Sequence, residues 1–145
     1  MSASEGAHTD PAGAELGIAE QGRDPRRDPR RDPSCLFCRI VAGEIPSTRV
    51  AEDESLIAIR DIAPKSPTHI LVLPRDHIAS AADLTDADAP LVGHIFSTAA
   101  AIARSEGIAE GGYRVVTNVG TWGGQTVDHL HFHLMGGRPF AWPPG

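Results

Sequence analysis

Three histidines alternate with apolar residues in segment 129–135, which reads His-Leu-His-Phe-His-Leu-Met. Successive side chains of a β-strand point to opposite faces of the sheet, so a period of two predicts a strand. One face then carries Leu130, Phe132 and Leu134, and the three imidazoles share the other at intervals of about 6.6 Å. Imidazole can bind a metal ion, transfer protons near neutral pH or attack phosphorus. This face is therefore the candidate reaction site.

Three interpretations of the histidine segment compete. The histidines could be polar residues on a solvated sheet face, although such faces more often carry Thr, Lys and Glu. They could be metal ligands, because His-x-His on a strand can direct two nitrogens at one cation. One of them could instead be a nucleophile that forms a phosphoramidate labile enough to turn over.

The loop before the histidines favours phosphate chemistry. Segment 120–126 reads Gly-Thr-Trp-Gly-Gly-Gln-Thr, and its glycines allow successive backbone N–H groups to converge on an anion. Gln125 and Thr126 add neutral hydrogen-bond donors. A glycine-rich loop alone is weak evidence, but one that leads directly into three aligned histidines indicates a phosphate site.

Composition and charge exclude several classes of protein. The chain has 145 residues and a formal net charge of −6, which argues against non-specific binding to nucleic acid polymers or membrane surfaces. The sequence lacks an apolar run of membrane-spanning length and the apolar core of a signal peptide, so we expect a cytoplasmic protein. In that compartment the only two cysteines, Cys35 and Cys38, indicate metal ligands or a redox pair.

The chain divides into an extension and one domain. Residues 1–34 end in Arg-Asp-Pro repeats, and they carry frequent prolines and almost no apolar surface, so they predict a disordered N-terminal extension. Residues 35–145 predict a single α+β domain, with a mainly antiparallel five-stranded sheet and two helices. The predicted strands are Thr48–Glu52, Leu56–Arg60, His69–Pro74, Tyr113–Asn118 and Asp128–Met135, and the predicted helices are Leu36–Val41 and one between Asp86 and Gly107.

The residues around the histidines also resemble a known family. Over residues 35–145 the sequence is similar to the histidine triad (HIT) superfamily of nucleotide hydrolases and transferases, and in particular to its Hint branch of purine nucleoside phosphoramidases. The resemblance rests on the triad and on the segments Asp61-Ile62-Ala63-Pro64, Gly123-Gly124-Gln125-Thr126, Gly136-Gly137-Arg138 and Trp142-Pro143-Pro144-Gly145. It implies a HIT-like fold and a homodimer, with the sheet continued across the dimer and the C-terminal segment reaching the partner's site.

The resemblance implies a role for each candidate residue. His131 would attack the α-phosphorus of an adenosine phosphoramidate, forming a nucleotidyl-histidine that water hydrolyses to AMP. His133 and Thr126 would contact the phosphate and the leaving group, because an amine leaves only when protonated. Asp61 would bind the ribose hydroxyls. The remaining nucleotide-binding residues would be Phe37, Ile45, Ile59 and Ile62 around the purine, each of which equally suits core packing, and Asn118, Gly124 and Gln125 at the phosphate.

The cysteine pair resembles that of bacterial members that hold a structural zinc ion. This resemblance implies the ligands Cys35, Cys38, His69 and His129, a mixed set suited to tetrahedral zinc. The alternative is two free buried thiols that pack as small apolar side chains.

Other functions remain open at this point. A dinucleoside polyphosphate hydrolase and a nucleotidyl transferase use similar chemistry, although the transferases typically carry glutamine at the position of His133. A purine nucleotide-binding or scaffolding module with vestigial catalysis is an alternative from another class. A metalloenzyme that uses the triad as ligands is a third.

Overall fold

The computed structural model describes residues 31–145, so most of the predicted extension, 1–34, lies outside the described residues. Within residues 31–145 the regular structure consists of five strands and three α-helices, together with two short 3₁₀ helices at Ala81–Asp83 and Asp86–Asp88. In chain order the elements are α1 Leu36–Val41, β1 Arg49–Glu52, β2 Leu56–Arg60, β3 Thr68–Pro74, α2 Ala89–Ser105, β4 Tyr113–Val116, α3 Gly120–Gly123 and β5 Phe132–Gly136.

The sheet has the strand order β1-β2-β3-β5-β4, and every neighbouring pair is antiparallel. This confirms the predicted α+β fold with a five-stranded antiparallel sheet. Strand β3 lies at the centre and is buried along its whole length, which explains its nearly continuous apolar sequence. Its neighbour β5 places His133 opposite Leu71 of β3 and opposite Val116 of β4.

Each face of the sheet supports a separate apolar cluster. On one face, α2 contributes Ile95, Ala99, Ile102 and Ala103 to a cluster with Leu130, Phe132 and Leu134. On the other face, Phe37, Cys38 and Ile40 of α1 pack against Ile57, Ile59, Leu71 and Leu73. The apolar half of the histidine segment therefore faces α2. The imidazole half faces α1 and the cysteines, as the period of two predicts.

The histidine strand is shorter than predicted. Strand β5 begins at Phe132, so His129 and His131 precede it. Their backbone groups bond outside the ladder: the His129 N–H donates to Val127 O, and the Leu130 N–H donates to Ile78 O. The Thr117 hydroxyl donates to His131 O at 2.8 Å. The segment therefore lies outside the hydrogen-bond ladder of the sheet. Its side chains nevertheless alternate between the two faces.

The helices also refine the prediction. Helix α2 begins three residues after the predicted start, because Asp86–Asp88 form a 3₁₀ turn with a capping box between Thr85 and Asp88. Helix α3 is an unpredicted single turn inside the glycine-rich loop. No helix in residues 31–145 combines the length and apolar content needed to span a membrane.

A close contact between β5 and the segment after α2 yields a stability prediction. A Cβ atom at Gly136 would lie 2.6 Å from Ile108 Cδ1 and 3.0 Å from its Cβ. Ile108 is itself buried, so the packing must distort to accept a methyl group. We expect Gly136→Ala to lower the free energy of unfolding by about 1–3 kcal/mol, as measured by urea denaturation.

Gly93 provides the matched control for this prediction. It lies within α2, and no neighbouring side chain comes within 4 Å of the position that an added Cβ atom would take. Gly93→Ala should therefore raise stability by up to about 1 kcal/mol through helix propensity. Equal effects of the two substitutions would contradict the packing argument.

Candidate active site and metal-binding cluster

The side chains of the histidine segment form a compact row beneath helix α1. The rings of His131 and His133 lie 5.0 Å apart between centroids. Phe37 of α1 presents an edge-on contact to His131 at 4.9 Å and to His129 at 5.9 Å. His129 is fully buried and His131 nearly so, whereas His133 is half-buried. In such surroundings each ring nitrogen needs a hydrogen-bond partner or a substrate.

The partner of His131 assigns its proton. His131 Nδ1 lies 2.7 Å from the carbonyl oxygen of His129. A carbonyl only accepts hydrogen bonds, so Nδ1 carries the proton and donates it. In the neutral ring the lone pair then resides on Nε2. This is the tautomer that a nucleophilic imidazole requires.

His133 takes the opposite tautomer through a chain of hydrogen bonds. The Lys65 backbone N–H donates to His69 Nδ1 at 3.0 Å, so His69 carries its proton on Nε2. His69 Nε2 lies 2.8 Å from His133 Nδ1 and 3.4 Å from Asp61 Oδ2. His133 Nδ1 therefore accepts, and its proton lies on Nε2. His131 and His133 thus present an acceptor and a donor side by side.

Electrostatics keep His133 neutral. Burial, with smaller contributions from His131 and His69, lowers the pKa of His133 to about 4, against a smaller opposing effect of Asp61. Burial also lowers the pKa of His69, against a smaller opposing effect of Asp61. Near neutral pH His133 is consequently an uncharged hydrogen-bond donor with a fixed tautomer.

A second constellation lies at the other end of the row. Cys35, Cys38, His77 and His129 each direct one ligand atom to a common point, and these atoms all lie within 4.8 Å of one another. The distances to His129 Nδ1 are 3.4 Å from Cys35 Sγ, 3.5 Å from Cys38 Sγ and 3.3 Å from His77 Nδ1.

These distances suit a tetrahedral ion. Tetrahedral zinc, with bonds of about 2.3 Å to sulfur and about 2.0–2.1 Å to nitrogen, separates sulfur from nitrogen by about 3.6 Å and two nitrogens by about 3.3 Å. His129 Nε2 donates to Pro74 O at 2.8 Å, which leaves Nδ1 unprotonated for a metal. Burial lowers the pKa of His129 to about 4, so this ring is neutral as a ligand must be.

The comparison with known proteins agrees with this geometry. The sequence matches the HIT domain family over residues 42–140. The chain belongs to the HIT family. A crystal structure of a HIT family hydrolase from Legionella pneumophila superposes with a TM-score of 0.76 at 51% sequence identity, covering 77% of this chain and all of that one.

Two curated relatives share the HIT domain with this chain. The 14 kDa zinc-binding protein of Zea mays is 46% identical over 112 residues, which are 76% of this chain and 87% of the relative. The purine nucleoside phosphoramidase of Escherichia coli is 45% identical over 106 residues, which are 73% of this chain and 89% of the relative. The HIT chain thus aligns with nearly the full length of both.

The structure corrects one expected metal ligand of this HIT chain. His69 does not join the cysteines; it lies with Asp61 and His133 in the hydrogen-bond chain described above. His77 takes its place, with Nδ1 at 3.3 Å from Cys38 Sγ. No strand periodicity marks His77 in the sequence, because it lies beyond the end of β3 at Pro74.

The expected purine-contacting residues fall into two groups in the HIT fold. Phe37 and Ile59 are buried in the cluster beneath α1, and Ile45 is half-buried against it. Ile62, in contrast, exposes 98% of its side chain and directly follows the half-buried Asp61. Packing thus accounts for the first three side chains, whereas no packing accounts for Ile62.

Gln125 fastens the glycine-rich loop rather than facing solvent. Its Nε2 donates to Ala79 O at 2.8 Å and to Val127 O at 3.0 Å, and its Oε1 accepts from the Gly120 N–H at 3.1 Å. Gly124 ends helix α3 at φ 85°, a left-handed conformation that favours glycine. Thr126 is exposed, Asn118 half-buried and Trp122 fully exposed.

The depressed pKa of His133 predicts a pH dependence of stability. In the unfolded chain this imidazole binds a proton below about pH 6.5, whereas in the folded protein it stays neutral until about pH 4. The contribution of this imidazole to the free energy of unfolding is therefore complete above about pH 6.5, and it declines as the pH falls towards 4. The free energy of unfolding, from urea titrations at constant zinc, should show a shallower decline in His133→Gln. An identical pH dependence in both proteins would contradict this assignment.

Proposed function

We propose that this HIT protein is a nucleotide hydrolase that cleaves the P–N bond of adenosine 5′-phosphoramidates, releasing AMP and an amine. The observation that carries the proposal is the pair of opposite tautomers of the neighbouring His131 and His133 rings. His131 offers an unprotonated Nε2, and His133 offers an Nε2–H beside it. A nucleophile next to a neutral donor is the arrangement that phosphoryl transfer to histidine requires.

The first chemical step follows from these two nitrogens. His131 Nε2 attacks the α-phosphorus, and the P–N bond of the substrate breaks as the new bond forms. The charge that develops on the ring is stabilised through Nδ1–H and the carbonyl of His129. The departing amine takes one proton, supplied from solvent through hydrogen bonds that we assign to Thr126 and His133.

The second step restores the enzyme. A water molecule attacks phosphorus in the nucleotidyl-histidine, the bond to His131 Nε2 breaks, and AMP leaves. The proton lost by the attacking water returns to solvent, so one proton is consumed and one released over the two steps. His133 remains a donor to the phosphate oxygens throughout, because its Nδ1 accepts from His69.

The nucleotide itself would bind in front of this pair. Asp61 would accept hydrogen bonds from the ribose diol, for which a carboxylate is well suited, while it also faces His69 Nε2. Ile62 is exposed, which leaves its side chain free to contact the purine, and Ile45, Phe37 and Ile59, which pack in one apolar cluster, would complete the purine site. Asn118 and the N–H groups near Gly124 would complete the phosphate site, on a loop that Gln125 holds in shape.

Replacement of the nucleophile provides the main test. We expect His131→Ala to lose at least about 10³-fold in single-turnover hydrolysis of an adenosine phosphoramidate while it still binds AMP. The control is His94→Ala, which removes an exposed histidine of α2 and should keep wild-type activity. A near wild-type rate in His131→Ala would refute the proposal.

Rapid acid-free quenching separates the enzyme from a binding module. The wild-type protein should yield a covalent AMP adduct on His131 by mass spectrometry of its peptides. A protein that binds nucleotide with no adduct and no turnover would be the vestigial binding or scaffolding module. A higher kcat/KM for dinucleoside polyphosphates than for adenosine phosphoramidates would instead indicate a dinucleoside polyphosphate hydrolase.

We also propose that Cys35, Cys38, His77 and His129 hold a structural zinc ion. All four ligand positions come from the protein, which is typical of closed structural sites rather than catalytic ones. When bound, the ion would cross-link the N-terminal end of α1 to the segment before β5.

The ligand set makes a clear prediction for metal content. His77→Ala should lose zinc from the purified protein, measured by inductively coupled plasma mass spectrometry, because only three ligands remain. His69→Ala should retain about one zinc ion per chain, since His69 bonds to His133 instead. The reverse pattern would restore the ligand set expected from the sequence.

A homodimer remains part of the proposal. Strand β4 lies at the edge of the sheet, so its outer backbone groups are available for pairing with a second copy. Trp142 near the C-terminus exposes 83% of its side chain, which is unusual for a large aromatic residue and supports burial against a partner. The functional unit would be residues 35–145, with the extension 1–34 outside it.

A further inference from the structure

One buried residue belongs to both constellations. The ring of His129 lies in the cysteine cluster, with Nδ1 directed at Cys35, Cys38 and His77. Its main-chain carbonyl lies in the active site, where it accepts from His131 Nδ1 at 2.7 Å. The group that fixes the tautomer of the nucleophile is thus carried by a metal-cluster residue.

Hydrogen bonds on both sides of this carbonyl hold the segment. His129 Nε2 donates to Pro74 O at 2.8 Å, and its backbone N–H donates to Val127 O at 2.9 Å. On the other side, the Leu130 N–H of the same peptide group donates to the carbonyl of Ile78, the residue after His77. The orientation of the carbonyl therefore depends on where the His129 ring and the chain at 77–78 are held, and both lie at the cysteine cluster.

A second physical link runs through Phe37. This residue lies between the two cysteines on α1, where Cys35 caps the helix by accepting from the Cys38 N–H. Its ring packs edge-on against the rings of both His129 and His131. Movement of the cysteines would therefore move the apolar wall of the nucleophile as well as its hydrogen-bond acceptor.

We infer that a metal ion in the Cys35, Cys38, His77 and His129 cluster positions the nucleophile. A bound ion joins four ligand atoms to one centre, whereas without it the four atoms are connected by weak thiol-to-nitrogen hydrogen bonds and by the contact between the His77 and His129 rings. The ion thereby holds the His129 carbonyl and Phe37 against His131, which keeps the proton on Nδ1 and the lone pair on Nε2. Cys35, Cys38 and His77 are then positioning residues for a reaction that they do not touch. The consequence for rate rests on the proposed function, but the effect on the tautomer does not.

The tautomer of His131 can be read directly. In ¹⁵N-labelled, zinc-loaded full-length protein at constant pH, two-dimensional NMR of the imidazole nitrogens should show a single neutral tautomer of His131, with the proton on Nδ1. Removal of zinc with a chelator should give a mixture of tautomers or broadened signals. Hydrogen exchange of the amides at 129–131 should accelerate, and added zinc should reverse both changes.

Substitution at His77 tests the same link without touching the active site. His77→Ala should reproduce the metal-free spectrum, and His77→Cys, which restores a four-ligand zinc set, should return His131 to the single tautomer. Kinetically, His77→Ala should lower kcat about 10–100-fold with little change in KM, because Asp61 and Ile62 stay in place. His94→Ala serves as the control and should leave the spectrum and the rate unchanged.

Three further outcomes would contradict the inference. A metal-free protein with an unchanged His131 tautomer would show that the carbonyl is held without the ion. Global unfolding on chelation, seen as collapse of all resolved signals, would reduce the ion to a purely structural role. Failure to bind zinc would remove the premise. If the wild-type protein does not hydrolyse phosphoramidates, the proposed function fails while the tautomer measurement still decides this inference.

Discussion

The organisation of this site depends on buried imidazoles that must satisfy both ring nitrogens. Burial removes water as an alternative partner, so each nitrogen donates or accepts according to what the fold places beside it. The carbonyl of His129 makes His131 an Nδ1–H tautomer, and His69 makes His133 an Nε2–H tautomer. Two chemically identical side chains thereby become an acceptor and a donor. The surrounding sheet serves to keep these partners in place.

Strand β3 is the element that supplies most of those partners. Near its start it carries His69, which orients His133, and at its end Pro74 O accepts from His129 Nε2. The His69 side chain lies on the same face as His133, because β3 and β5 pair with His69 opposite Met135 and Leu71 opposite His133. The apolar side chains on the opposite face anchor the same strands to α2. The positions of the imidazoles thus depend on an apolar cluster that lies on the opposite face of the sheet.

Much of this arrangement follows from local sequence pattern. Alternation of histidines with Leu130, Phe132 and Leu134 predicts which side chains share a face, and that division holds even where the strand has ended. Helix α1, the hairpin of β1 and β2, and β3 also follow from periodicity and turn residues. The role of Gln125 does not, because an amide in a glycine-rich loop can bind a phosphate or a backbone carbonyl equally well. Only the folded loop shows that both its donors are engaged.

The proposed metal ligands show how position along a strand separates two histidines that residue type cannot distinguish. His69 lies near the start of β3 and His77 lies beyond its end, and either could complete a set with the cysteines by residue type alone. Pro74, the last residue of β3, accepts from His129 Nε2, so His129 lies at the end of this strand. At about 3.4 Å per residue, His69 lies about 17 Å along the strand from Pro74. It contacts His133 instead, because β3 and β5 pair with Leu71 opposite His133. Antiparallel pairing therefore separates the two histidines, so that His77 lies in the cysteine cluster and His69 lies beside the triad.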